Sequence, residues 1–144
     1  MNFLDNIFDQ LEAAGNTSVL WEIHGQEVRQ ELSFGLTGRG LSKQVAQART
    51  FLQSMALKKG DRCALLAHNS IEWIALDLAI MAEGLIAVPL YARQAPAELV
   101  AMMKDCSPAL MCCGDETLRA GIRPPLACRR ASMYWISFES APGW

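Results

Sequence analysis

Residues 63–91 read CALLAHNSIEWIALDLAIMAEGLIAVPLY, and this stretch decides the fold. Cys63 to Ala67 is a short, continuous apolar run after the charged turn Lys58-Lys-Gly-Asp61, which marks a strand buried on both faces. Asn69 and Glu72 then have the spacing of an N-cap and its reciprocal carboxylate at the third helical position, so a helix starts there. From about Ser70 to Glu83 apolar side chains occur almost all the way round that helix, which predicts burial, with Gly84 as its left-handed stop. Leu85 to Tyr91 is a second apolar run. Pro89 inside it has no ladder donor, and the chain is expected to leave the sheet at that point.

The same alternation continues downstream. Pro96 suits a first helical position, Glu98 the positive end and Lys104 the negative end of a helix over about 96–104. Ser107-Pro108 punctuates, Ala109 to Cys113 is a third apolar run, and Gly114-Asp115 turns into a short helix near Glu116 to Ala120. The three strands start about 23 residues apart with a helix between each pair, the spacing of successive βαβ units. Strands that are apolar throughout, not alternating, belong to a parallel sheet covered on both sides. The expected class is therefore α/β, a parallel βαβαβ sheet with flanking helices.

Upstream, Leu41, Val45, Ala48, Phe51, Leu52 and Met55 form one apolar helix face. Ser18 to His24 and Glu31 to Leu36 fit a hairpin around Gly25. Phe3, Leu4, Ile7, Phe8 and Leu11 recur at helical spacing, giving an amphipathic helix that ends near Gly15 and is expected to dock on its own domain. After the core, Met133 to Phe138 fits a further strand, while Arg123-Pro-Pro and Arg129-Arg130 read as solvated loop. The organisation is thus a helix and hairpin over 1–40, a βαβ core over 41–121 and a tail over 122–144.

Composition narrows the function classes. The chain has 144 residues, 51% hydrophobic and 19% charged, which is one domain's worth of foldable chain. Thirteen basic against fifteen acidic side chains give a net charge of −2 and no positive field for nucleic acid or an anionic membrane. Asp5, Asp9 and Glu12 contradict a secretory signal in the first turns. Ile74 to Leu90 carries Asp77 and Glu83 and is broken by Gly84 and Pro89, so no transmembrane segment is expected. The five cysteines, Cys63, Cys106, Cys112, Cys113 and Cys128, are odd in number and lack a C-x-x-C pair, as suits reduced, buried thiols. A cytoplasmic location follows as the expectation, and the amphipathic first helix leaves a peripheral membrane contact open.

No spacing identifies an active site. Thr37-Gly-Arg-Gly-Leu-Ser-Lys43 lacks both the Walker pattern and the third glycine of a dinucleotide fingerprint, and reads as a strand-to-helix turn. Cys106, Cys112 and Cys113 with His68 or His24 match no standard metal spacing. His68 and Asn69 stand at the carboxyl edge of a strand, where open α/β sheets place ligands, although capping of the next helix accounts for them more simply. Cys63, inside an apolar run, is a poor nucleophile.

The order of short motifs is more informative. Lys59-Gly-Asp-Arg-Cys-Ala-Leu-Leu, Asn69-Ser-Ile-Glu-Trp, Val88-Pro-Leu-Tyr, Pro96-Ala-Glu-Leu and Asp105-Cys-Ser-Pro-Ala-Leu together resemble the opening of the AMP-forming acyl-CoA synthetases, in the adenylate-forming ligase superfamily, and among them the long-chain fatty-acid–CoA ligases. The resemblance runs from Leu41 to Asp115. It implies an enzyme that activates a fatty acid with ATP and magnesium to an acyl-adenylate and passes the acyl group to coenzyme A. The family's phosphate loop ending in Pro-Lys-Gly, its nucleotide contacts, its acyl pocket and its catalytic lysine fall downstream of the matched segment, and none occurs here. Thr37 to Val45, Glu83 and the tail after Gly121 depart from the family pattern. No catalytic, cofactor-binding or metal residue is carried over. The expectation is an N-terminal piece of such a ligase, inactive alone and with no cofactor bound. A self-contained α/β domain that binds a small molecule or a partner is the alternative.

Overall fold

A computed structural model describes residues 2–23, 33–126 and 134–138 of the chain. In chain order the elements are α1 (Phe3–Ala14), β1 (Ser18–Ile23), β2 (Ser33–Thr37), α2 (Gly38–Gln53), β3 (Arg62–Ala67), α3 (Ile71–Ala82), β4 (Ile86–Tyr91), α4 (Pro96–Cys106), β5 (Leu110–Cys113), α5 (Glu116–Leu126) and β6 (Tyr134–Ser137). β3 to β6 form a four-stranded, wholly parallel sheet in the order β4-β3-β5-β6. β1 and β2 form a separate antiparallel pair, as the expected hairpin requires; its connection, with Gly25, lies outside the described residues. The α/β class and its flanking helices therefore hold.

The first strand of the sheet is central. From β3 the chain crosses through α3 to β4 on one side, then back through α4 to β5 on the other. Helix and direction change together: α3 packs on one face and α4 on the opposite one, so both crossovers have the same hand, as the rule for parallel βαβ units demands. Alternate residues of β3 serve the two sides. Cys63 and Leu65 join the core under α1, α2 and α3; Ala64 and Leu66 join the core under α4 and α5.

Local chemistry explains the element boundaries. Asn2 and Asp5 form a reciprocal capping box at the start of α1, and Leu11 is its buried anchor. α2 begins three residues before the first periodic leucine because the Thr37 hydroxyl accepts the Gly40 N–H at 3.0 Å. α3 is capped by Ser70, which takes the Trp73 N–H at 3.1 Å, and not by Asn69. The cap falls one residue later than the expected pair, so Glu72 becomes a first-turn acid near the positive helix end. Gly84, at φ +72, ends the helix as expected. α4 runs two residues beyond Lys104. Ser107 takes the left-handed position at φ +46, and the Arg62 guanidinium donates to the carbonyls of Cys106 and Ser107, placing a cation at the helix's negative end.

Two further expectations fail. β4 continues through Pro89 to Tyr91 instead of leaving the sheet. Proline is tolerated there because β4 is the outermost strand among the described residues. α5 likewise continues through Arg123-Pro-Pro to Leu126, where loop was expected. Ile122, only 1% exposed, seats on the second core one turn after Leu118 and carries the helix into its closing turn before the prolines arrive. Arg129 and Arg130 lie outside the described residues.

Candidate functional site

β3 and β5 are neighbours whose chains leave the sheet in opposite directions, β3 into α3 on one face and β5 into α5 on the other. Diverging connections leave a crevice beyond the strand ends, the place where open α/β sheets receive ligands. A cleft of ≈ 380 Å³ occupies this position, lined by Ala67, His68, Ser70, Glu72, Gly114, Asp115 and Phe138. His68, singled out on sequence, is thus in the cleft; Asn69 is not among its lining residues.

Close approach of the two strand ends gives the cleft its floor. The Gly114 N–H donates to the Leu66 carbonyl at 2.9 Å. A Cβ at Gly114 would stand 2.7 Å from the Ala67 Cβ and 3.1 Å from its Cα, so only glycine fits. β6 adds the third wall, with the Phe138 N–H bonded to the Cys113 carbonyl at 3.0 Å. The polar rim is largely committed to helix starts: the Ser70 hydroxyl caps α3, and Asp115 Oδ1 accepts the Leu118 N–H at 2.8 Å at the start of α5. The imidazole of His68 and the carboxylate of Glu72 complete the ionisable lining with Asp115.

Among the described residues that lining has two carboxylates and no lysine or arginine. Both helix starts already carry their own acids, Glu72 on α3 and Asp115 with Glu116 on α5, so the positive helix ends are neutralised from within. The described lining thus offers no cation to a polyphosphate, and its two carboxylates favour a group that donates hydrogen bonds.

Other sequence candidates are accounted for structurally. The first amides of α2 are all engaged: Gly38 with the Thr17 carbonyl at 3.0 Å, Arg39 with the Gly15 carbonyl at 2.8 Å and Gly40 with Thr37. Thr37 to Lys43 therefore offers no phosphate cradle. Cys112 and Cys113 point into opposite cores, and no cluster of three or more His, Cys, Asp or Glu side chains fit for a metal exists among the described residues. Burial pushes the Cys63 thiol up to about 12, with the charge of Asp61 adding to it, and burial pushes Cys113 up to about 12 as well. Burial likewise raises Cys106 and, further, Cys112. Cys63, Cys112 and Cys113, buried with raised pKa values, are poor nucleophiles. Cys128 and His24 lie outside the described residues. No helix among the described residues is long and apolar enough to cross a membrane.

Gly114, Asp115 and Phe138 had no functional signal in the sequence. Gly114-Asp115 reads as a turn, and only parallel pairing of β3 with β5 brings it beside His68.

Comparison with known proteins gives this geometry a context. The sequence model of the family described as AMP-binding enzyme matches residues 22–140. The acetyl-coenzyme A synthetase of Bradyrhizobium sp. (strain ORS 278) is 30% identical over 113 residues, covering 78% of this chain and 17% of that protein. That of Bradyrhizobium diazoefficiens is 28% identical over 128 residues, covering 88% of this chain and 19% of that one. The chain spans less than a fifth of the length of these curated relatives. Among solved structures, VinN superposes with a TM-score of 0.78 at 20% identity over 95% of this chain and 31% of its own. ATP-bound MatB from Rhodopseudomonas palustris does so at 0.68, with 22% identity, over 92% of this chain and 25% of its own. At these identities the structural likeness is one of fold.

Proposed function

Since the chain belongs to the AMP-binding enzyme family, we propose that it is the N-terminal portion of an ATP-dependent, AMP-forming acyl-CoA ligase. The observation that carries this reading is the family match over residues 22–140, laid on a sheet whose switch point opens a cleft. In the proposed reaction a carboxylate oxygen attacks the α-phosphorus of ATP and pyrophosphate leaves; the thiol of coenzyme A then attacks the acyl carbonyl and AMP leaves. The first step concentrates negative charge, which has to be met by cationic groups.

This chain's described residues do not fit that task. The cleft is lined by Glu72 and Asp115, and no three potential magnesium ligands converge. The segment's part is scaffolding: β3 to β6 hold a rigid parallel sheet against which the reacting groups of the rest of the enzyme are positioned. Two acids compete for the acyl position. The sequence motifs favour a fatty acid, and the names of the curated relatives favour acetate.

Acid-dependent ATP–pyrophosphate exchange tests the reading. The 144-residue chain gives no exchange with acetate or with a long-chain acid, and robust exchange by the chain alone would overturn the scaffolding role. A reading frame that continues past codon 144 into a Ser/Thr- and Gly-rich loop ending in Pro-Lys-Gly supports the ligase. Saturable binding of a small ligand by a chain followed at once by a stop and unrelated DNA would instead carry the competing reading, a self-contained binding domain.

A further inference from the structure

β4 is the outermost strand of the sheet among the described residues, and its sequence, Ile86-Ala-Val-Pro-Leu-Tyr91, carries no charge. Ile86 is 48% and Tyr91 65% exposed, and Pro89 is exposed between them. An open, uncharged, apolar edge is a template on which another strand pairs, so something has to block it.

The direction of the backbone groups identifies the block. The Ile86 N–H donates to the Asp61 carbonyl at 2.9 Å, on the β3 side. Because a strand alternates with a period of two, the N–H groups of Ile86, Val88 and Leu90 turn towards β3, and those of residues 87, 89 and 91 turn outwards. The proline occupies the middle outward position. It therefore costs β4 no bond to β3 while removing the central donor of the open edge, and its ring stands where an incoming carbonyl would approach.

We propose that Pro89 is an edge-blocking residue, which keeps a second copy of this chain from extending the sheet at β4. A second copy is the occupant to exclude because the edge is self-complementary. In antiparallel pairing about a twofold axis, position 89 lies opposite itself and Ala87 lies opposite Tyr91 of the other copy. Residues directly opposed in such a hydrogen-bonded pair exchange two N–H···O=C bonds, and with proline at position 89 both central bonds are absent.

The test is Pro89→Val in the 144-residue chain, followed by sedimentation across a concentration series and by amide exchange. In the parent, the Ala87 and Tyr91 amides exchange rapidly at every concentration. Pro89→Val shifts the mass towards a dimer and slows exchange at Ala87 and Tyr91 about ten-fold, the effect of roughly one added hydrogen bond. Tyr91→Lys placed on Pro89→Val returns it to the parent mass, because a charge on the same edge opposes pairing. An unchanged mass and exchange pattern in Pro89→Val overturns the proposal. So does association that Tyr91→Lys leaves intact, or concentration-dependent protection of Ala87 and Tyr91 in the parent.

Discussion

Among the described residues, the two faces of the sheet are covered by cores of different size. Beneath α1, α2 and α3, fifteen buried residues of the described set form one continuous core, with Leu65, Leu76 and Ile80 fully enclosed. Beneath α4 and α5 the corresponding core has eight, and it depends on Met103, Met111 and a single isoleucine, Ile122. Leucine, valine and isoleucine, with few rotamers, make up most of the thick face; the thin face mixes four branched side chains, Leu66, Leu90, Leu99 and Ile122, with two adaptable thioethers, Met103 and Met111. A parallel sheet needs both faces dry, and the thin face meets that need with fewer buried side chains among the described residues.

Truncating one side chain on each face breaks or sharpens this contrast. Leu76→Ala, deep in the thick core, should lower the unfolding free energy by about 3–5 kcal/mol, because rigid neighbours do not collapse into the cavity. Met103→Ala on the thin face should cost about 2–3 kcal/mol, since a smaller core leaves the helices over it freer to close the gap. Urea denaturation of both variants measures the difference. Equal losses would show that the two faces are equally rigid and remove the contrast.

Gly114→Ala comes next in size. It sits where β5 closes on β3, between the two faces, and its new methyl would meet Ala67 at 2.7 Å. Relief requires the strand ends to separate, at a cost of about 1–3 kcal/mol. The loss should be accompanied by altered amide exchange at Phe138 and Asp115, which share the cleft; a variant as stable as the parent would mean that the strand ends slide freely.

The smallest effects are electrostatic and lie at the rim of the thick face. Burial raises the Asp77 carboxyl above its ordinary value, so ionisation opposes folding: the penalty is absent below the ordinary carboxylate range, grows as the pH climbs to the raised value and is complete above it. Asp77→Asn should therefore raise the urea midpoint at neutral pH and leave it unchanged in acid. Glu83 is shifted the other way. Its hydrogen bond from Arg49, 2.6 Å long, outweighs burial and lowers its pKa, with Gln53 adding a second bond at 3.0 Å. Its contribution is present above the ordinary glutamate range and is lost as the pH falls through the lowered value. Glu83→Gln should lower the midpoint at neutral pH and converge with the parent in acid. Parallel pH profiles for parent and variants would contradict both assignments.

Much of the fold is legible in the sequence because it is local. Cys63 to Ala67 and Ala109 to Cys113 announce buried strands by composition, and Gly84 announces a stop by its position. The lateral order of strands is not local. Nothing in the run from Cys63 to Tyr91 says that β5 will pair with the free side of β3, which makes the first strand of the sheet its centre. The same holds for Pro89: whether a proline costs a bond depends on which way its position turns, and that is decided by the neighbouring strand. The cleft was legible by half. His68 stands at a strand's carboxyl end on any α/β reading, whereas Gly114, Asp115 and Phe138 reach it only through pairings between segments distant in the chain.

One consequence follows from β3 alone. Its odd-numbered side chains, Cys63 and Leu65, belong to the thick core, and its even-numbered ones, Ala64 and Leu66, to the thin core. Its carbonyls are divided in the same way, Asp61 bonding towards β4 and Arg62 and Leu66 towards β5. Insertion or deletion of one residue between Arg62 and Ala67 would therefore send each side chain to the wrong core and each carbonyl to the wrong neighbour in a single event. The strand can absorb changes of residue size, which each core feels separately, but its length is a frame that both halves of the molecule read at once.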